Sequence, residues 1–212
     1  MVQNFLRVRL GRVVINGKAN SERLFDLCKK ENPPCIAVGW GKIDLSKNLD
    51  EIKREYLCEY KMPLERKELS EIKYWIAMNK GDGVIAMRSP ATICAVGEII
   101  SKNPYRKVDE KKFKLILVGG RPYTEKNPYG EVRFFNRIDV KWITSPDKSV
   151  KVRSLGLPER LENKLCLPHA ILRITSKEFD LVQQAMKSYV PKENESPSKY
   201  SREYDIHGKS GR

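Results

Sequence analysis

Cys35-Ile36-Ala37-Val38-Gly39-Trp40-Gly41-Lys42-Ile43-Asp44-Leu45-Ser46 is the stretch that decides how this chain folds and what it is built to hold. Its first part is a short apolar run of the length of a buried strand, and glycines flank the tryptophan on both sides. Glycine at a strand end marks a place where another backbone or a ligand approaches closely. A large aromatic where a buried strand runs out has two explanations. Trp40 is a wall on which a flat ligand such as a nucleobase stacks, or it is a core residue.

Outward from that stretch, the chain reads as a mixed α+β fold. Phe5–Leu10 alternates apolar and basic residues, as a strand at the basic surface does. Asn20-Ser21-Glu22-Arg23 opens a short helix that ends before Pro33-Pro34. Helices are expected over residues 50–60 and 67–79, the second with Leu69, Ile72, Trp75 and Ile76 on one face. Lys80-Gly81-Asp82-Gly83 then turns the chain into strands at Val84–Arg88 and Thr92–Ile100. Lys114–Val118, a long strand Val132–Ile143, a strand candidate Leu167–Ile174 and a helix from Ser176 to about Tyr189 complete the body. Short strands with early helices and no regular βαβ alternation point to a small mixed β-barrel flanked by helices, not a doubly wound sheet. Residues 1–190 form one domain in this reading. Residues 191–212, poor in large apolar side chains, form a flexible tail or linker.

Composition narrows the function. The chain has 212 residues and a formal net charge of +14, which favours a polyanionic partner, nucleic acid first. The five cysteines are scattered without a C-x-x-C pair, and no apolar stretch reaches the length of a membrane span. With no signal peptide, a reducing, cytoplasmic setting is expected, without membrane contact. Between Ser101 and Lys141, Lys102, Arg106, Lys107, Lys111, Lys112, Lys114, Arg121, Lys126, Arg133, Arg137 and Lys141 outnumber the acids. Tyr105, Tyr123, Tyr129, Phe134 and Phe135 are interleaved with them, and Asn-Pro-Tyr occurs at 103–105 and at 127–129. Proline stiffens a loop and limits the entropy lost when its neighbour is presented to a ligand. Cations for phosphates and aromatic faces for bases make a nucleic-acid surface. The plain alternative is a solvated basic face with tyrosines packed under loops.

Catalytic patterns are poor. The two histidines, His169 and His207, are far apart, and His169 next to Pro168 reads as structural. No cluster has metal-ligand spacing, and no cofactor is implied. Asp147 with Glu162-Asn163-Lys164 matches the sparse acid…acid-x-Lys pattern of Mg²⁺ nucleases. That chemistry wants the second acid and the lysine on a rigid strand, whereas Leu157–Lys164 reads as a turn and a helical fragment. Trp75 and Trp142 read as core.

The order of motifs adds a resemblance. Ile36–Gly41 with Asp44-Leu45, Trp75 ahead of Lys80–Ala86, Ala95-Val96-Gly97-Glu98-Ile99 and Arg137-Ile138-Asp139-Val140-Lys141-Trp142 resemble the EVE branch of the PUA/YTH-like superfamily. The chain looks most like the N-terminal DNA-binding domains of archaeal McrB-type, modification-dependent restriction GTPases, over roughly residues 15–187. The resemblance implies a small mixed barrel that grips a flipped or unpaired base in an aromatic cage. Trp40, Phe134 and Tyr105 would be the walls. Gly39, Gly41 and Lys42 with Asp44 and Asn136 would meet the base edge or adjacent backbone. Lys102, Arg106, Lys107, Arg121, Lys126, Arg133 and Arg137 would hold phosphates. The implied partner is modified duplex DNA, with RNA as the alternative, alongside a GTPase motor and nuclease of a restriction complex. A non-catalytic binding role is expected.

Overall fold

The computed structural model describes residues 3–10, 13–15, 18–40, 43–108, 114–116, 131–133 and 135–190. The expected tail over 191–212 lies outside them. The architecture is mixed α+β, a curled sheet flanked by helices. Strands β1 (Phe5–Arg9), β4 (Cys35–Val38), β5 (Gly83–Ser89), β6 (Thr92–Ile99), β10 (Asn136–Trp142) and β12 (Ile171–Ile174) run in the order β12-β1-β5-β6-β10-β4. The short strands β7 (Tyr105–Arg106) and β11 (Val150–Lys151) add to β10 and β6. β1 and β5 run parallel; the other pairs of this sheet are antiparallel. Two small hairpins stand apart from it, β2 (Val13–Ile15) with β3 (Lys18–Asn20), and β8 (Lys114–Ile116) with β9 (Glu131–Arg133).

The central strands are apolar without alternation because both faces of the sheet are covered. In β5, Val84 and Ala86 join a core with helices α1 (Ser21–Lys29), α2 (Leu49–Tyr60) and α3 (Arg66–Ile76). Ile85 and Met87 point the other way, into a second core beneath α4 (Glu159–Leu165) and α5 (Ser176–Ser188). Trp75 of α3 is completely buried, and Trp142 packs its ring against Phe25 with centroids 5.6 Å apart. Trp75 fills the core role expected of it, and Trp142, partly buried, packs against the same core.

Two of the helices begin at a side-chain cap that the sequence provides. Asn48 accepts from the N–H groups of Asp50 and Glu51 at the start of α2, and Thr175 with Glu178 closes a capping box on α5. The Lys80–Gly83 turn is locked by Asp82. Its buried carboxylate accepts from the backbone of Asn4 at 2.7 Å and of Asn79 at 2.9 Å, tying β1 to the end of α3.

Two expectations are corrected. The strand Val132–Ile143 is divided, β9 pairing with β8 while β10 joins the main sheet. β1 is an interior strand, between β12 and β5, not a strand at the surface. Its Arg7 is fully buried and donates to the carbonyls of His169 (2.5 Å) and Leu167 (3.1 Å). Burial, and then the neighbouring Arg9, pull its guanidinium down to about 10, against the partial support of Glu71 and Cys166.

Candidate nucleic-acid interface

β10 organises the candidate site because both its edges are used. Residues 136–139 pair with β4 on one side, and Asn136 and Arg137 pair with Arg106 and Tyr105 of β7 on the other. The turn Ser101–Pro104 therefore delivers Tyr105 and Arg106 beside the end of the strand that leads to Trp40. Tyr105 is half-buried, and its hydroxyl donates to Asp139 at 2.6 Å. Burial first, then that carboxylate, pushes the phenol well above its ordinary range. Arg106 holds its guanidinium over the ring of the buried Phe135, 5.7 Å from its centroid.

The segment after β4 is shaped from beneath. Trp40 is 7 % exposed and lies in the larger core. The expectation that its ring stands free as a stacking wall is thereby corrected in favour of ordinary packing; its apolar area is worth more against the core than in water. Its carbonyl accepts the N–H of Ile43 at 3.0 Å, so it anchors the loop. Asn136 is also corrected. Its amide donates to the Ile43 carbonyl at 3.0 Å and accepts from the Leu45 N–H at 2.8 Å, and the residue is buried. Both polar atoms of that amide are spent on the loop. Arg137, expected on phosphate, is fully buried and pairs with Glu31 at 3.4 Å. Lys107 reaches the same carboxylate at 3.3 Å from a half-exposed position.

Loop, α2 and β7 together enclose an open cleft of about 480 Å³ lined by Ile43, Asp44, Lys47, Glu55, Cys58, Glu59 and Arg106. It brings together two expected site residues that the sequence separates, Asp44 and Arg106. One Asp44 oxygen accepts from the N–H and hydroxyl of Ser46, at 3.0 and 2.6 Å. Glu55 is paired with Lys47 and accepts from the Asp44 N–H at 3.4 Å. The Lys47–Glu55 pair, Cys58 and Glu59 are lining residues that sequence reasoning missed; Lys47 stands in the loop and the other three on α2. Gly39 is half-buried beside the cleft's loop, and Lys102 is exposed in the turn before β7. Gly41, Lys42, Arg121, Lys126 and Phe134 lie outside the described residues, as does the side chain of Arg133.

Two members of the nuclease pattern are taken by other partners. Asp147 pairs with Lys29 at 3.0 Å, while Lys164 on α4 is held by Glu178 at 2.7 Å. Among the described residues no group of His, Cys, Asp and Glu is placed to hold a metal ion. The Nδ1 of His169 lies 3.4 Å from the Glu71 carboxylate. All five cysteines are free thiols, and burial, with the Cys35 thiol beside it, pushes Cys28 well up. Among the described residues no helix is long and apolar enough to cross a membrane.

These features define a basic α+β module with a mixed-charge cleft at the end of a barrel-type strand. The chain belongs to the family described as "Domain of unknown function (DUF8426)", whose model matches residues 12–166. It matches no curated protein. Among solved structures it is similar to Rpa0253 of Rhodopseudomonas palustris, at 13% identity and a TM-score of 0.40, over 91% of this chain and 99% of that one. It is also similar to human THYN1 in complex with DNA containing 5-methylcytosine, at 14% identity and a TM-score of 0.42, over 89% and 100% of the two chains. The DUF55 domain of human thymocyte nuclear protein 1 gives 14% and 0.40, over the same shares. At such identities no residue's role transfers.

Proposed function

We propose that this protein is a DNA-binding module that reads a modified base, turned out of the duplex into the cleft between the Asp44 loop, α2 and β7. The observation that carries the reading is the meeting of Asp44 and Arg106 in one cleft of a chain with net charge +14. A carboxylate there accepts from the exocyclic amine of cytosine or adenine. The Arg106 guanidinium, steadied over Phe135, offers a plane for stacking and a charge for an adjacent phosphate. Trp40 and Asn136 serve the site indirectly by fixing the loop. Extrusion of a base costs a few kcal/mol, which backbone contacts by Lys102 and its basic neighbours offset. In the finer form of the proposal the module is the specificity domain of a modification-dependent restriction system, working with a GTPase motor and a nuclease.

Binding of duplexes carrying 5-methylcytosine, hydroxymethylcytosine, methyladenine or no modification, at fixed salt, tests it. The 5-methylcytosine duplex comes first because human THYN1 is held on such DNA. A preference for one modified duplex, lost in Arg106→Gln and Asp44→Ala, supports the reading. Equal affinity for all duplexes sinks it, and tighter binding of single-stranded RNA moves the module to the RNA-reading alternative.

A further inference from the structure

A second cleft, of about 440 Å³, is lined by α3, by β12 and by the residues just before β12. Arg66 and Lys67 stand at its rim, Tyr74 and Ile171 give it an apolar wall, and Glu71 and His169 lie deeper. We propose that it is a second nucleic-acid contact, seating a backbone phosphate and its sugar on the strand that flanks the base-reading cleft. The inference rests on the function proposed above only for where that strand comes from.

Charge favours an anion there. Glu71, the one acid in the lining, is turned inward; its carboxylate accepts from the Ala170 N–H at 2.9 Å and faces the buried Arg7 and His169. The outer charges are then those of Arg66 and Lys67. Lys67 uses one of its donors on the Pro168 carbonyl at 3.2 Å, next in sequence to His169 of the lining, which leaves two donors. Among the described residues the Arg66 side chain has no hydrogen-bond or ion-pair partner. The apolar wall suits the sugar next to that phosphate, packed against Tyr74.

Position sets the partner. Glu55, Cys58 and Glu59 of α2 line the first cleft, Arg66, Lys67 and Tyr74 of α3 line the second, and the two helices pack together through Tyr56 and Glu68. Two helices side by side separate their outer flanks by about 20 Å. A strand advancing 3.4 Å per phosphate covers that in about six nucleotides. The second cleft is therefore at the right distance for the flank of the same duplex, not for the base being read.

The test uses the full chain and 5-methylcytosine duplexes whose flanks grow from about 3 to about 12 base pairs on each side, bracketing the six-nucleotide span. Wild-type affinity is expected to step up once a flank passes about six pairs. In the double variant Arg66→Gln, Lys67→Gln the step disappears, affinity on the long duplex falls about fivefold, and the salt slope becomes shallower by about 1. Short duplexes bind both proteins alike. A thermal melt of the variant controls for lost packing, and Lys67→Arg restores the step if charge is what matters. A step that persists in the double variant, or no step in wild type, overturns the proposal. The same series on unmodified duplex keeps the two ideas apart: a flank step without any modified-base preference sustains the second contact and sinks the base-reading function.

Discussion

The side-chain amide of Asn136 grips the main chain at Leu45, 91 residues away, accepting its N–H at 2.8 Å while donating to the carbonyl of Ile43. One residue of β10 thus fixes the loop that carries Asp44. Replacing it with alanine leaves a buried N–H and a buried carbonyl unsatisfied, at about 1–3 kcal/mol. Asn136→Ala is expected to lower the unfolding free energy read from denaturant titration by that amount, shifting the midpoint down, and to weaken DNA binding as well. An unchanged midpoint would show that the loop holds its shape without the amide.

Tyr105 and Asp139 form the second brace of the same region. Tyr105→Phe keeps the ring and removes the 2.6 Å hydroxyl bond, leaving a half-buried carboxylate without its donor. A destabilisation of about 1–2 kcal/mol is expected, with base preference retained because Arg106 keeps its seat over Phe135. Chemical denaturation read beside a binding titration separates the two effects.

Much of this was legible in the chain, and the failures have physical causes. The α+β class, the helices of both cores and the core roles of Trp75 and Trp142 follow from periodicity and caps. Trp40 did not, because burial at a strand end depends on what α1 to α3 bring over it, which no local pattern encodes. Arg7 and Arg137 misled for a related reason. An arginine in an alternating strand looks solvated until a distant partner, the Leu167 and His169 carbonyls or Glu31, is folded against it. The hairpin β2–β3 went unread, although Asn16-Gly17 in the sequence between its strands is a hairpin signal. Its three-residue strands gave periodicity nothing to register.

The Lys164–Glu178 pair makes stability depend on acid. Burial raises the Glu178 carboxyl, but the bonds from Lys164 and from Thr175 outweigh it and hold the group below its ordinary 4.5. A depressed carboxylate contributes stability above its unfolded value and loses it as pH falls through the folded one. Unfolding midpoints are therefore expected to fall more steeply below about pH 4.5 in wild type than in Lys164→Met, with a difference under about 1 kcal/mol at neutral pH. Parallel curves for the two proteins would show the pair to be without weight.

Gly97 is where β6 and β10 come closest. A Cβ added there would meet the side chain of Val140 and, at 2.9 Å, the ring of Trp142. Val140 is fully buried, and the backbone carbonyl of Lys141 stands 3.0 Å away on the same strand, so there is little room to give. Gly97→Ala is thus an overpacking substitution, expected to cost about 1–3 kcal/mol and to push β10 outward at its second half. Because the first half of that strand carries Asn136 and pairs with Arg106, the same variant should also loosen the cleft. Faster hydrogen exchange at Ile43 and Leu45, measured at a pH where the protein is still folded, would report that spread. Exchange confined to residues 140–142 would mean that the two halves of β10 yield independently.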